Sequence, residues 1–291
     1  MITYRIYENP EDIEIQEKFW LEVTKFLPWP WKPNKTQEIF AKRENFDPRS
    51  KYFAFDGEKL VGYQSFVDGR DMIALGYPWV IIHPQKNEIQ NNLWNHTLEV
   101  INRDFPGVYL LQRFREQWTD HIQFFLDRGF QLDEQSPIYI HDIQKSYNFL
   151  KNDKISLNSH SSLDQDLLKK VLSTNKELSF EKINQKVKSA LYLDYDICVY
   201  LEGDKGPISY TGTTIRRDVS YAEIALLEFN DTNYPINFCN EFSIKYMLVE
   251  LSKIGIKNVS ITVDSNDPII PILKDLNFSV RSKSVYVKLE R

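Results

Sequence analysis

One order of elements occurs twice in this chain, and that repetition constrains the fold more than any single motif. In the first half, residues 2–7 alternate apolar and polar as a strand does, and Asn9-Pro10 ends the pattern. Apolar positions at helical spacing follow over residues 14–26. Pro28, Pro30 and Pro33 then rule out helix, because each lacks an N–H and restricts the residue before it. A second helix is expected over residues 36–43. Residues 51–55 and 60–66 flank Asp56-Gly57, a pair suited to a tight hairpin turn. Strand 73–82, helix 89–102, strand 108–113 and short helix 121–128 come next. Gly129 then fits the position past a helix that takes positive φ, and strand 131–141 closes the half.

After a polar stretch that begins KISLNSHSSLDQDLLKK, the same order returns. Residues 197–201 and 208–216 form a hairpin around a turn at 203–206. A strand over 221–229, an amphipathic helix over 240–254, a strand over 259–263, a short helix over 267–276 and a strand over 279–289 follow. Gly57 and Gly203 lie in equivalent turns 146 residues apart, and Phe130 and Phe278 end equivalent helix–turn elements 148 apart. This is the pattern of a tandem duplication of one α+β unit, with domains over residues 1–145 and 154–291 and a boundary within 146–153. The early hairpin excludes an all-parallel doubly wound sheet.

Composition narrows the function classes. A hydrophobic fraction of 42% with 26% charged residues allows a substantial core, and 14% aromatics makes that core bulky. A net charge of -5 argues against a nucleic-acid backbone as partner. Cys198 and Cys239 join no CxxC or His/Cys cluster, and the five histidines lack metal-ligand spacing, so no metal is expected. The start has no apolar signal region, and no stretch reaches eighteen apolar residues. A cytoplasmic protein without a membrane span is the expectation.

Four stretches carry a family resemblance. FAFDGEKLVGYQSF is similar to the second and third strands of the GNAT superfamily of N-acetyltransferases. HPQKNEIQNNLWNHTLEVI stands where that family has its cofactor loop and the helix it opens. FFLDRGFQL resembles the final helix-to-strand turn, and DSNDPIIPILKDLNFSV repeats it in the second half, with Asn266 matching an Asn often found before that helix. The resemblance covers nearly the whole chain in two copies, as in tandem members of the mycothiol synthase type. It implies two GNAT-like domains, each a mixed central sheet flanked by helices. It also implies an acyl-CoA donor, acetyl-CoA above all, and an amine acceptor on a small molecule or peptide.

In that family the cofactor loop reads Gln/Arg-x-x-Gly-x-Gly/Ala, and its backbone N–H groups wrap the CoA pyrophosphate at a helix N-terminus. Glycine lets the backbone approach closely. The resemblance assigns cofactor binding to Val80, Ile81, Ile82, Gln85, Lys86, Asn87, Glu88, Ile89 and Gln90. Glu88 and Gln90 occupy the glycine positions, and Val80–Ile82 are expected to offer the backbone donor for the acyl oxygen. In the second half INFCNE takes this place, with Cys239 and Glu241 at the glycine positions. Residues 231–240 hold no Lys or Arg, so the first half is the better anion site.

The family's chemistry needs a base to take the amine proton and an acid for the leaving thiolate. The usual acid is a Tyr four residues before the glycine of the helix turn, where this chain has Phe125 and Leu273. Glu116, Asp120, Glu223 and Glu228 are the candidate bases, and Tyr77, Tyr109 and Tyr139 are candidate donors from strands. Exposed helix-start charge and aromatic packing are the plain structural explanations of these residues. Trp29 and Trp31, between the first two helices, are candidates for acceptor binding, and a lid packed on the sheet is the equal alternative. Three functions stay open: acyl-CoA-dependent N-acyltransferase, a catalytically degenerate GNAT-like binding or assembly module, and an aminoacyl-tRNA-dependent transferase. The acidic balance counts against the last, and nothing in the sequence excludes a homodimer.

Overall fold

A computed structural model describes residues 1–25, 27, 46–69, 71–143, 155–191, 193, 195–230 and 235–291. Trp29, Trp31, the helix expected over 36–43 and the boundary over 146–153 lie outside the described residues. The chain runs β1 (Ile2–Ile6), α1 (Glu11–Thr24), β2 (Lys51–Asp56), β3 (Lys59–Asp68), β4 (Met72–Leu75), β5 (Trp79–Val80), α2 (Lys86–Asp104), β6 (Tyr109–Arg115), α3 (Thr119–Leu126) and β7 (Gln131–Asp142). It continues with β8 (Ser156–His160), α4 (Gln165–Leu172), α5 (Phe180–Ala190), β9 (Ile197–Gly203), β10 (Gly206–Arg216), β11 (Tyr221–Phe229), α6 (Ile236–Lys253), β12 (Asn258–Thr262), α7 (Ile270–Asp275) and β13 (Ser279–Leu289).

These elements form two compact units, Met1–Gln135 with Ser284–Arg291, and Ser136–Lys283. In the first, β1, β2, β3 and β4 pair antiparallel in sequence order, and β4 then runs parallel to β6. Residues Ser284–Leu289 of β13 complete this sheet, antiparallel to β6. In the second, β8, β9, β10 and β11 pair antiparallel, and β11 runs parallel to β12. Residues Ile138–Asp142 of β7 complete that sheet, antiparallel to β12. The final strand of each half thus supplies the outer partner of the parallel pair in the other unit, which consecutive reading of the sequence does not foresee.

Alternation along the strands sets the faces. On β9, Val199 and Leu201 join the core under α6, where Cys239, Ile244, Met247, Leu248 and Leu251 are fully buried. Cys198 and Tyr200 point the other way, into the core formed with Leu168 and Val171 of α4 and Ile183 and Val187 of α5. Burial of each such large apolar side chain contributes roughly 1.5–3 kcal/mol. In the first unit α2 lies close on β3 because Gly62 has no side chain. A Cβ there would stand 2.7 Å from Ile89 Cγ2.

The duplication is legible at single residues. Phe130 N–H donates to Phe125 O and Gly129 N–H to Leu126 O, while 148 residues on Phe278 N–H donates to Leu273 O and Asn277 N–H to Lys274 O. Both helices end in the same left-handed cap, with φ of 87° at Gly129 and 61° at Asn277. Asn is one of the few residues with a side chain that visit this conformation readily.

Candidate functional site

Each unit contains a parallel strand pair that opens part-way along its length. In the first unit, β4 and β6 pair at Met72↔Tyr109, Ile73↔Leu110 and Ala74↔Leu111, then part. In the second, β11 and β12 pair from Tyr221↔Asn258 to Ile224↔Ile261, then part. Both openings coincide with a bulge. Phe66 faces Leu75 and Tyr63 faces Trp79, so Gly76, Tyr77 and Pro78 oppose only Gln64 and Ser65. Gly212 faces Leu226 and Thr213 faces Ile224, so Ala225 is the extra residue. A bulge bends its strand and ends regular pairing.

The first bulge is held by two buried glutamines. Gln64 Nε2 donates to Gly76 O at 2.9 Å, and Gln90 Nε2 donates to the Tyr77 hydroxyl at 2.8 Å and to Pro78 O at 3.1 Å. The bulge therefore falls at Gly76–Pro78, not at Val80–Ile82 where the donor was expected. Ile81 N–H is committed to Val61 O, Val80 pairs with Gly62, and Ile82 is fully exposed.

Of the other first-half cofactor residues, Gln90 faces inward onto the bulge and Ile89 is fully buried in the core. Gln85, Lys86, Asn87 and Glu88 stand at the start of α2, whose N-terminus has no side-chain cap. Within this turn Gln85 N–H donates to His83 Nδ1, Lys86 N–H donates to His83 O, and Gln85 Nε2 donates to Glu88 Oε2. Glu88 thus sets a carboxylate in the first turn, where an incoming phosphate would meet it.

The opening in the first unit is filled by rings. Tyr77 and Trp79 from the bulged strand meet His121 at 4.4 and 4.9 Å, and Trp79 meets Trp118 at 6.1 Å. Phe114, at the far end of β6, closes on His121 at 6.4 Å. Burial pushes the His121 imidazole down to about 4. At the offset of 148, the residues corresponding to Tyr77, Trp79, Phe114, Trp118 and His121 are Ala225, Leu227, Thr262, Asn266 and Ile269. None of them is aromatic. Ala225 is exposed and Leu226 half-buried at the second opening.

Beside that second opening lies a cleft of about 540 Å³ between α5 and β11. Ala225, Leu226 and Glu228 form its strand wall, Lys182, Gln185, Lys186 and Ser189 its helix wall, and Leu178 before α5 and Leu193 and Tyr195 after it add apolar surface. Glu228 accepts from Lys186 Nζ at 2.7 and 3.1 Å. Tyr195 packs flat where β10 has Gly212, since a Cβ there would stand 2.6 Å from the ring.

The remaining candidates scatter. Glu116 is half-buried in the turn after β6 and accepts from Gln117 Nε2 at 3.4 Å. Tyr109 lies at the closed end of the β4/β6 pair, with Lys288 Nζ 4.3 Å from its ring centroid. Phe125 and Leu273, at the family's Tyr position, are completely buried. Cys239 is buried and donates to Asn230 O, and Glu241 pairs with Lys245. Lys182, Lys186 and Tyr195 are not among the sequence candidates, because α5 is not among the elements expected there. Ser179 as a cap, then Ile183, Val187 and Ala190 on one face, is the signal that marks it.

No protein-family model matches the sequence, and no curated protein matches it. Solved structures match by shape. A tandem GNAT protein from the clavulanic acid biosynthesis pathway superposes with a TM-score of 0.72 at 13% identity, over 100% of this chain and 98% of its own. This chain has a tandem GNAT fold. A GCN5-related N-acetyltransferase from Sphaerobacter thermophilus matches at TM-score 0.58 and 10% identity, covering 99% of this chain and 95% of that one. Saccharomyces cerevisiae N-myristoyltransferase with bound myristoyl-CoA matches at 0.62 and 9%, covering 99% and 78%. The likeness is to the tandem GNAT arrangement and does not single out mycothiol synthase. In GNAT terms, the two opened pairs are the fourth and fifth strands of each copy. No helix among the described residues is long and apolar enough to cross a membrane.

Proposed function

We propose that this chain is an acyl-CoA-dependent N-acyltransferase whose transfer site is the second unit. The observation that carries the reading is the contrast between the openings: rings fill the first, and the second has Ala225 at its bulge beside a cleft that holds Glu228. Acyl-CoA chemistry is supported by the fold and by neighbours that are N-acetyl- and N-myristoyltransferases.

The second unit's residues suit such a donor. Its helix α6 begins without a side-chain cap and without an acidic residue in its first turn, whereas the first turn of α2 carries Glu88. Orphan N–H groups at an uncapped helix start favour an anion. An acyl-CoA, when bound, supplies an acyl group activated as a thioester. Among the described residues the β11/β12 ladder ends at Ile224, so the bulge at Ala225 is where a backbone N–H would meet an acyl oxygen. Glu228 takes the proton of the acceptor amine, and the exposed, flexible Lys186 side chain releases it to do so. Over the whole reaction an amide forms, the thiol is freed, and the proton lost by the amine balances the one the thiolate gains. The acceptor is a primary amine on a small molecule or peptide. The first unit then fits the other open reading, a degenerate copy retained for its packing.

Titration calorimetry and a thiol-release assay test the proposal. Acetyl-CoA is expected to bind the full chain. Glu228→Gln should keep that binding and lose about a hundredfold or more in turnover, and Ala225→Trp, which copies the first unit's crowding, should abolish binding. A folded sample that binds no acetyl-CoA at millimolar concentration overturns it.

A further inference from the structure

We propose that the acceptor is an amino-acid-like zwitterion, an amine that also carries an acidic group and an apolar body. The inference rests on the transfer reading of the same cleft and adds the substrate class. Lys182 and Lys186 stand four residues apart on α5 and therefore share one face, opposite Glu228 on β11. Two cations and one carboxylate line a cleft in a chain whose net charge is -5, so the cleft is locally positive against the rest of the molecule.

The charges are also unequally matched. Lys186 is paired with Glu228, while among the described residues no carboxylate lies within ion-pair distance of the Lys182 ammonium. A simple amine entering beside Glu228 displaces Lys186 and leaves two unneutralised ammonium groups in the cleft. An acceptor with its own acidic group restores the balance: its nitrogen meets Glu228, and its acid meets Lys182 and the released Lys186. The rest of the lining is apolar, with Leu178, Leu193, Tyr195 and Leu226 contributing to it. A side chain of leucine or phenylalanine size suits that apolar lining. Lys182 is accordingly a specificity residue that does no chemistry itself.

Equilibrium binding to the full chain without donor tests the class, with leucine and phenylalanine as probes against leucinamide, phenylalaninamide and isoamylamine. The free acids are expected to bind about tenfold more tightly than the amides or the amine, as loss of a charge-assisted contact predicts. Lys182→Gln should remove about the same factor for the acids and leave the amides unchanged. Equal or tighter binding of the amides, no measurable binding of either amino acid, or an indifferent Lys182→Gln overturns the proposal. A thiol-release assay with acetyl-CoA separates the two readings. Acid-selective binding without acyl transfer sinks the transfer reading and keeps the ligand class. Transfer to isoamylamine as fast as to leucine keeps the transfer reading and sinks the ligand class.

Discussion

The Gln90 side-chain amide joins the Tyr77 hydroxyl to the Pro78 carbonyl where all three residues are buried. Gln90 is a structural clamp on the strand bulge. Gln90→Gly should therefore destabilise the protein by about 2–4 kcal/mol, because two buried polar groups lose their donor and the helix gains a glycine. Chemical denaturation would check this; a neutral result would mean the clamp carries no weight. His121 makes a second residue-scale prediction. Its folded value is about 4 against an ordinary 6.5, so between these values the unfolded chain holds the proton and the folded chain does not. Stability from this residue is complete above pH 6.5 and is lost as pH falls towards 4. His121→Phe keeps a ring among Tyr77, Trp79 and Trp118 and should make melting temperature fall less steeply from pH 7 to pH 5. An unchanged slope would contradict the burial argument.

At the scale of elements, regular alternation and turn chemistry made most of the fold legible. The hairpins at Gly57 and Gly206 and the helix cap at Gly129 follow from local residues. The bulges did not show themselves, because residues 73–82 read as one apolar strand until Gly76 and the pairing register divide it. Helices α4 and α5 are hidden by polar composition: Leu168, Val171 and Leu172 of α4 and Ile183, Val187 and Ala190 of α5 face the core, and lysines crowd the outer surface. Without α5 there is no cleft to see. Glu228 was visible as a carboxylate on a central strand, but its partner Lys186 and the neighbouring Lys182 lay on an element not yet recognised. The first-half loop looked better placed for a phosphate because charge was judged along the sequence. In space, Glu88 sits in the helix's first turn, and rings fill the gap the loop would serve.

At the scale of the whole molecule, the duplicated halves are not independent pieces. The first unit is completed by Ser284–Arg291, with Val287 fully buried in its core, and the second by Ser136–Asp142. Deleting residues 284–291 should expose the edge of β6 and destabilise the first unit, although the deletion lies at the other end of the chain. Residues 1–145 expressed alone should aggregate, and co-expression with 154–291 should rescue solubility; a soluble, cooperatively melting 1–145 fragment would contradict the exchange. Within this architecture one copy of the fold has a filled opening and the other an accessible one. A crystal structure of the full chain soaked with CoA tests that asymmetry most directly. The account predicts electron density for the pantetheine arm between β11 and β12 and none between β4 and β6, and density confined to the first unit, or absent from both at saturating CoA, would contradict it.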